Sequence, residues 1–103
     1  MPVRIVEIFL PLERGDGSRQ PSARFLATRA ELLQRCGGVT IHARAPVEGL
    51  WDSGEAVVED RLVIFEVIDR HFDRKWWASY RQCLCARFQQ DEILLRAIPA
   101  LLP

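Results

Sequence analysis

Leu62-Val63-Ile64-Phe65-Glu66-Val67-Ile68 is the stretch that decides the fold of this chain. Its side chains are apolar on both faces of an extended strand, and its β-branched residues favour that conformation. A strand buried on both sides belongs in the middle of a sheet. Upstream, Val39, Thr40, Ile41, His42, Ala43, Arg44 and Ala45 alternate apolar with polar, the period of a half-buried strand. Between the two lies Asp52-Ser53-Gly54, which fits a short hairpin loop with glycine in the left-handed position. Centring the hairpin on Ser53 sets His42 opposite Ile64 and Thr40 opposite Glu66. The second strand of the pair is expected over residues 56–68.

Working outward, Asp73 suits a helix N-cap, and the helix is expected to run to about Gln89. Trp76, Trp77, Tyr80, Cys83, Leu84 and Phe88 share one arc of its wheel. Large aromatics at that spacing are core material rather than a cofactor box. Residues 92–98 offer a last strand before Pro99. Toward the N-terminus, residues 3–10 read as a strand ended by Pro11, and Gly15-Asp16-Gly17-Ser18 as a loop. Pro21 suits a helix start, and Gly37-Gly38 its end. Phe25, Leu26, Ala30, Leu32, Leu33 and Cys36 are expected on its buried face, with Arg29 snorkelling from within that face.

The resulting order is β-α-β-β-α-β, an α+β ferredoxin-like sandwich. Right-handed crossovers put the first and third strands in the middle of a four-stranded antiparallel sheet, with both helices on one face.

Composition narrows the function classes. At 103 residues the chain has room for one domain spanning 1–103. Its 14 basic residues balance 14 acidic ones, so nothing draws it generally to nucleic acid or to an anionic membrane. No apolar run approaches the roughly 20 residues that span a bilayer. Residues 1–5 lack the order of a signal peptide, so cytoplasmic residence is the expectation. Three cysteines argue against a disulfide framework. Cys83 and Cys85 lie roughly 200° apart on a helix and cannot chelate together, so all three are expected to be structural thiols. Phosphate loops, GxGxxG, GxSxG and HExxH are missing, and His42 and His71 are too few for a multi-histidine metal centre. His71 reads as a solvated loop histidine. No metal and no cofactor are expected.

Three features carry a resemblance. They are the Gly49-Leu50-Trp51-Asp52-x-Gly54 hairpin, the Val58-Glu59-Asp60 lead into the apolar strand, and the passage from Tyr80 through Phe88-Gln89-Gln90-Asp91-Glu92-Ile93-Leu94. Over residues 38–97 the chain resembles a bacterial family of small, functionally uncharacterised proteins with this element order. More remotely it is similar to dimeric α/β-barrel proteins, which pair two such sheets face to face and include monooxygenases, isomerases and non-catalytic members. The resemblance implies the architecture and lends no residue a role.

With both helices on one side, the other face of the sheet is expected to be open. It should carry Val3, Ile5, Phe9, Leu62, Ile64 and Ile68, interspersed with Glu7, Thr40, His42, Arg44 and Glu66, and joined by Arg96. A solvated face should be mostly polar, and this one is not. Three readings follow. The first is a homodimer interface in which Glu7 and Glu66 pair with His42, Arg44 or Arg96, making the chain a structural or interaction protein. The second is a binding module with a cavity at that face for a small, largely apolar ligand. The third is an α/β-barrel type of enzyme using His42 with Glu7 or Glu66.

Overall fold

The apolar run takes its place as β3 (Leu62–Asp69), interior to a sheet of order β2-β3-β1-β4 in which every pairing is antiparallel. Its neighbours are β1 (Arg4–Pro11) and β2 (Thr40–Ala43), and β4 (Leu95–Pro99) closes the far edge. This computed structural model describes residues 3–43 and 62–101. The expected hairpin loop, Trp51, Arg44 and the first part of the third strand lie outside the described residues.

Two helices cover one face: α1 (Ser22–Cys36) and α2 (Arg74–Phe88). The core between layers joins Val6, Ile8 and Leu10 of β1 to Val63, Phe65 and Val67 of β3, capped by Leu32, Trp77, Tyr80, Leu84 and Phe88. This is the α+β ferredoxin-like arrangement that the element order implied.

Local chemistry sets the helix ends. Asp73 accepts from the backbone N–H groups of Lys75 at 2.9 Å and Trp76 at 3.3 Å, so α2 starts at a true N-cap. It stops at Gln89, which adopts the left-handed conformation at φ 55° while Gln90 N–H donates to the Cys85 carbonyl at 2.9 Å. In α1 the same task falls to Gly37, at φ 83°, whose N–H donates to Leu33 O at 2.8 Å. Gln20, buried just before α1, donates from Nε2 to the last α2 carbonyl, Phe88 O, at 3.0 Å.

Three expectations are corrected. The buried strip of α1 runs through Phe25, Thr28, Leu32 and Cys36, while Leu26 is 64% exposed and Ala30 and Arg29 face solvent. Thr28 tolerates full burial because its hydroxyl donates to Arg24 O at 2.8 Å and accepts from Arg87 Nη1 at 2.9 Å. In α2, Cys83 is exposed and Cys85 packs against the core instead. Finally, β4 begins at Leu95, later than residue 92, because Ile93 drops into the core before the ladder starts.

Candidate functional site

Because strand residues alternate between faces, the positions interleaved with the core set all project from the side of the sheet opposite the helices. Register orders them into cross-strand rows. One row is apolar and runs Ile68, Ile5, Ile98. The next is charged and runs Thr40, Glu66, Glu7, Arg96. The third holds His42, Ile64 and Phe9, and reaches Leu94, whose carbonyl accepts from Phe9 N–H at 2.9 Å. The pairings His42 with Ile64 and Thr40 with Glu66 are those that the hairpin reading required.

The charged row is the chemical feature of this face. Glu7 and Glu66 are direct cross-strand partners in the two central strands, and like charges so placed repel. Arg96 Nε reaches Glu7 Oε1 at 2.6 Å, and its guanidinium lies 5.3 Å from the Phe9 ring centroid. The Glu7 side chain is only 14% exposed, so this charge-assisted contact supplies a partner that burial demands. Glu66 is less well served. Its one neighbour of opposite tendency among the described residues is His42, with Nε2 at 3.8 Å from Oε1, outside hydrogen-bond reach.

The structure therefore brings together four of the expected site residues: Glu7, His42, Glu66 and Arg96. The fifth, Arg44, lies outside the described residues. The apolar content of the face needs a correction. Phe9 and Ile64 are only 8% and 4% exposed, whereas Ile68 and Ile98 each reach 41%. Arg96 lies beside the Phe9 ring, and the exposed apolar area of this face lies in Ile68 and Ile98.

A second polar system, hidden from sequence reading, ties the helices to the sheet. Asp69 ends β3 on the helix side and is buried. Trp77 Nε1 donates to its Oδ2 at 2.7 Å, Arg35 approaches the same oxygen at 3.4 Å, and His71 N–H donates to Oδ1 at 3.1 Å. Arg35 also lies over the Trp76 ring at 3.9 Å, and Trp76 stacks on Tyr80. Further along, Arg87 grips Glu31 with both terminal nitrogens, at 2.7 and 2.9 Å. Tyr80 Oη donates to the same carboxylate at 2.9 Å. The Arg87 contact holds the Glu31 pKa below its ordinary value, while burial, then the Glu31 carboxylate, pushes the Tyr80 phenol up. Burial also raises the Cys36 thiol to about 11, so it is no nucleophile at neutral pH. Glu31, Arg87 and Tyr80 fasten α1 to α2. Among the described residues no cluster of three or more metal-ligating side chains forms, and no helix is long and apolar enough to cross a membrane.

No protein-family model and no curated protein matches the chain. Of the resemblance drawn from residues 38–97, the fold is what stands. Among solved structures the chain is similar to a phage SAM lyase in complex with S-methyl-5'-thioadenosine. Identity is 17%, the likeness covers 96% of this chain and 91% of that one, and the TM-score is 0.59. At that identity the likeness speaks to the fold.

Proposed function

We propose that the open face binds a small organic cation with an aromatic or apolar body, and that a second copy of the chain covers it. The observation that carries this reading is the opposition of Glu7 and Glu66, with the one close guanidinium among the described residues, Arg96, on the far side of Glu7. Arg96 satisfies Glu7, and among the described residues Glu66 meets only an imidazole, at 3.8 Å. A ligand cation against Glu66 would balance the row, and the flanking Ile5 and Ile68 offer an apolar wall. The exposed Ile68 and Ile98 supply the surface through which a partner copy closes the face, and a two-fold axis suits a self-complementary patch. The phage SAM lyase of similar fold, solved with S-methyl-5'-thioadenosine, supports small-molecule binding as a use of this architecture. Its fold lends no residue role.

The test is isothermal titration with S-adenosylmethionine, a sulfonium cation, beside S-methyl-5'-thioadenosine, its neutral thioether relative. The cation is expected to bind more tightly. Glu66→Gln is expected to weaken the cation by about tenfold, near 1.4 kcal/mol, while leaving the thioether nearly unchanged. Equal loss for both compounds would remove the cationic reading, and absence of saturable binding by either would remove the ligand altogether. Chromatography of the same mixtures reads any turnover as appearance of the thioether.

A further inference from the structure

We infer that a groove on the helix side of the molecule, between α2 and the β4 edge, binds a small phosphorylated anion. This site is separate from the open face and does not depend on the reading given for it. Arg74, Ala78 and Arg81 stand at i, i+4 and i+7 on α2 and so share one face. The two arginines are about 10 Å apart along the axis, with only a methyl group between them. Opposite, β4 presents Leu95 and the small Ala97. Two alanines on facing surfaces leave a space of about 470 Å³, floored by Trp77. Arg4 enters from the start of β1, its guanidinium 5.8 Å from the Phe72 ring centroid and Nη1 donating to Val3 O at 3.0 Å.

What singles out these three arginines is that they line one groove, and among the described residues none of them has a carboxylate partner there. Arg35, Arg87 and Arg96 each meet a carboxylate within 3.4 Å. Among the described residues no carboxylate pairs with Arg4, Arg74 or Arg81, and none lines the groove. The acids nearest in sequence or register are committed elsewhere: Asp73 caps α2, and Asp69, the cross-strand partner of Arg4, holds Trp77 and Arg35. Three guanidiniums around one groove repel one another until an anion enters. Each planar fork takes two oxygens, and three forks ask for more than the two that a single carboxylate carries, which favours a phosphorylated ligand. The volume lies in the small-molecule range of roughly 300–1,000 Å³. A chain of zero net charge has no general pull on a polyanion, so a compact ligand held by local geometry is favoured over nucleic acid.

The experiment titrates the full chain with inorganic pyrophosphate at about 0.15 M salt. One saturable site is expected. The Arg74→Ala/Arg81→Ala double variant is expected to weaken it at least about tenfold, with thermal unfolding confirming an intact fold. Arg81→Lys, which keeps the charge and loses the fork, is expected to fall between. Arg70→Ala/Lys75→Ala, which removes exposed cations outside the groove, is expected to bind as the unmodified chain does. The inference fails if the unmodified protein shows no saturable binding, or if the two double variants weaken it equally. It also fails if a DNA duplex binds and pyrophosphate does not compete with it.

Discussion

On the helix-covered face, Val6, Ile8 and Leu10 lie beside Val67, Phe65 and Val63; on the open face, the interleaved positions are Ile5, Glu7 and Phe9 beside Ile68, Glu66 and Ile64. The same two strands, shifted by one residue, produce two unlike surfaces. The first is apolar throughout and closed by side chains from both helices. The second puts a charged row between apolar ones, with a carboxylate facing a carboxylate. Burial area alone stabilises the first, since each side chain there contributes through the water it sheds. The second holds Glu66, which has no close cation among the described residues beyond His42 at 3.8 Å. Comparing the faces separates residues that make the fold from residues available for something else.

Substitutions can break this division, and the largest effect should come from the covered face. Leu84→Ala empties a fully buried position between α2 and the sheet. A loss of about 2–5 kcal/mol is expected in urea unfolding. A change under about 1 kcal/mol would mean the core is held elsewhere. Next comes the polar rim of that face. Asp69→Ala strips the partner from the buried Trp77 N–H and is expected to cost about 1–3 kcal/mol. Asp69→Asn, which keeps an acceptor oxygen, should cost less, and equal losses would show that hydrogen bonding is not the cause.

The open face should respond differently. Ile68→Arg changes a side chain 41% exposed, so monomer stability should move by no more than about 0.5 kcal/mol. Self-association measured by sedimentation should be lost. If the substitution instead costs as much as Leu84→Ala, the two faces are both core and the division is false. An unmodified chain that sediments as a monomer at high concentration would deny the open face its second copy.

The smallest effect belongs to neither face. Glu31 titrates below its ordinary value of 4.5 because Arg87 grips the ionised form. A depressed folded pKa adds stability above the unfolded value, and that stability is lost as pH falls through the lowered one. The pair is partly solvated, so its contribution is under about 1 kcal/mol. Glu31→Gln is expected to lower stability near neutrality by that amount and to match the unmodified chain in acid, so that the limb below about 4.5 is flatter. An unchanged limb would assign acid sensitivity to other carboxylates.

Much of this was legible in the chain because periodicity is. An alternation of two and an Asp-Ser-Gly midpoint fix register, and register places Thr40, Glu66, Glu7 and His42 without any distance being known. Asp73 announced its helix because a capping carboxylate acts on the next few amides. The misreadings arose where polarity and burial part company. Thr28 is polar and buried, so the apolar strip of α1 was set too close to Leu26. Asp69 was invisible as a centre because its partner Arg35 lies far away in sequence, and only the fold brings them together. The burial of Phe9 and Ile64 on the face opposite the helices is not encoded in the strand alternation.

The helices are fastened at opposite ends by unlike means. Where α1 begins and α2 finishes, buried Gln20 donates to Phe88 O and accepts from Arg24 at 2.6 Å. Where α1 finishes and α2 begins, Asp69 joins Arg35 to Trp77. Neither helix can fray from its sheet-side end without breaking a contact that also holds the other. In amide hydrogen exchange the pair should therefore protect as one unit, with interior amides of α1 and α2 opening at the same free energy.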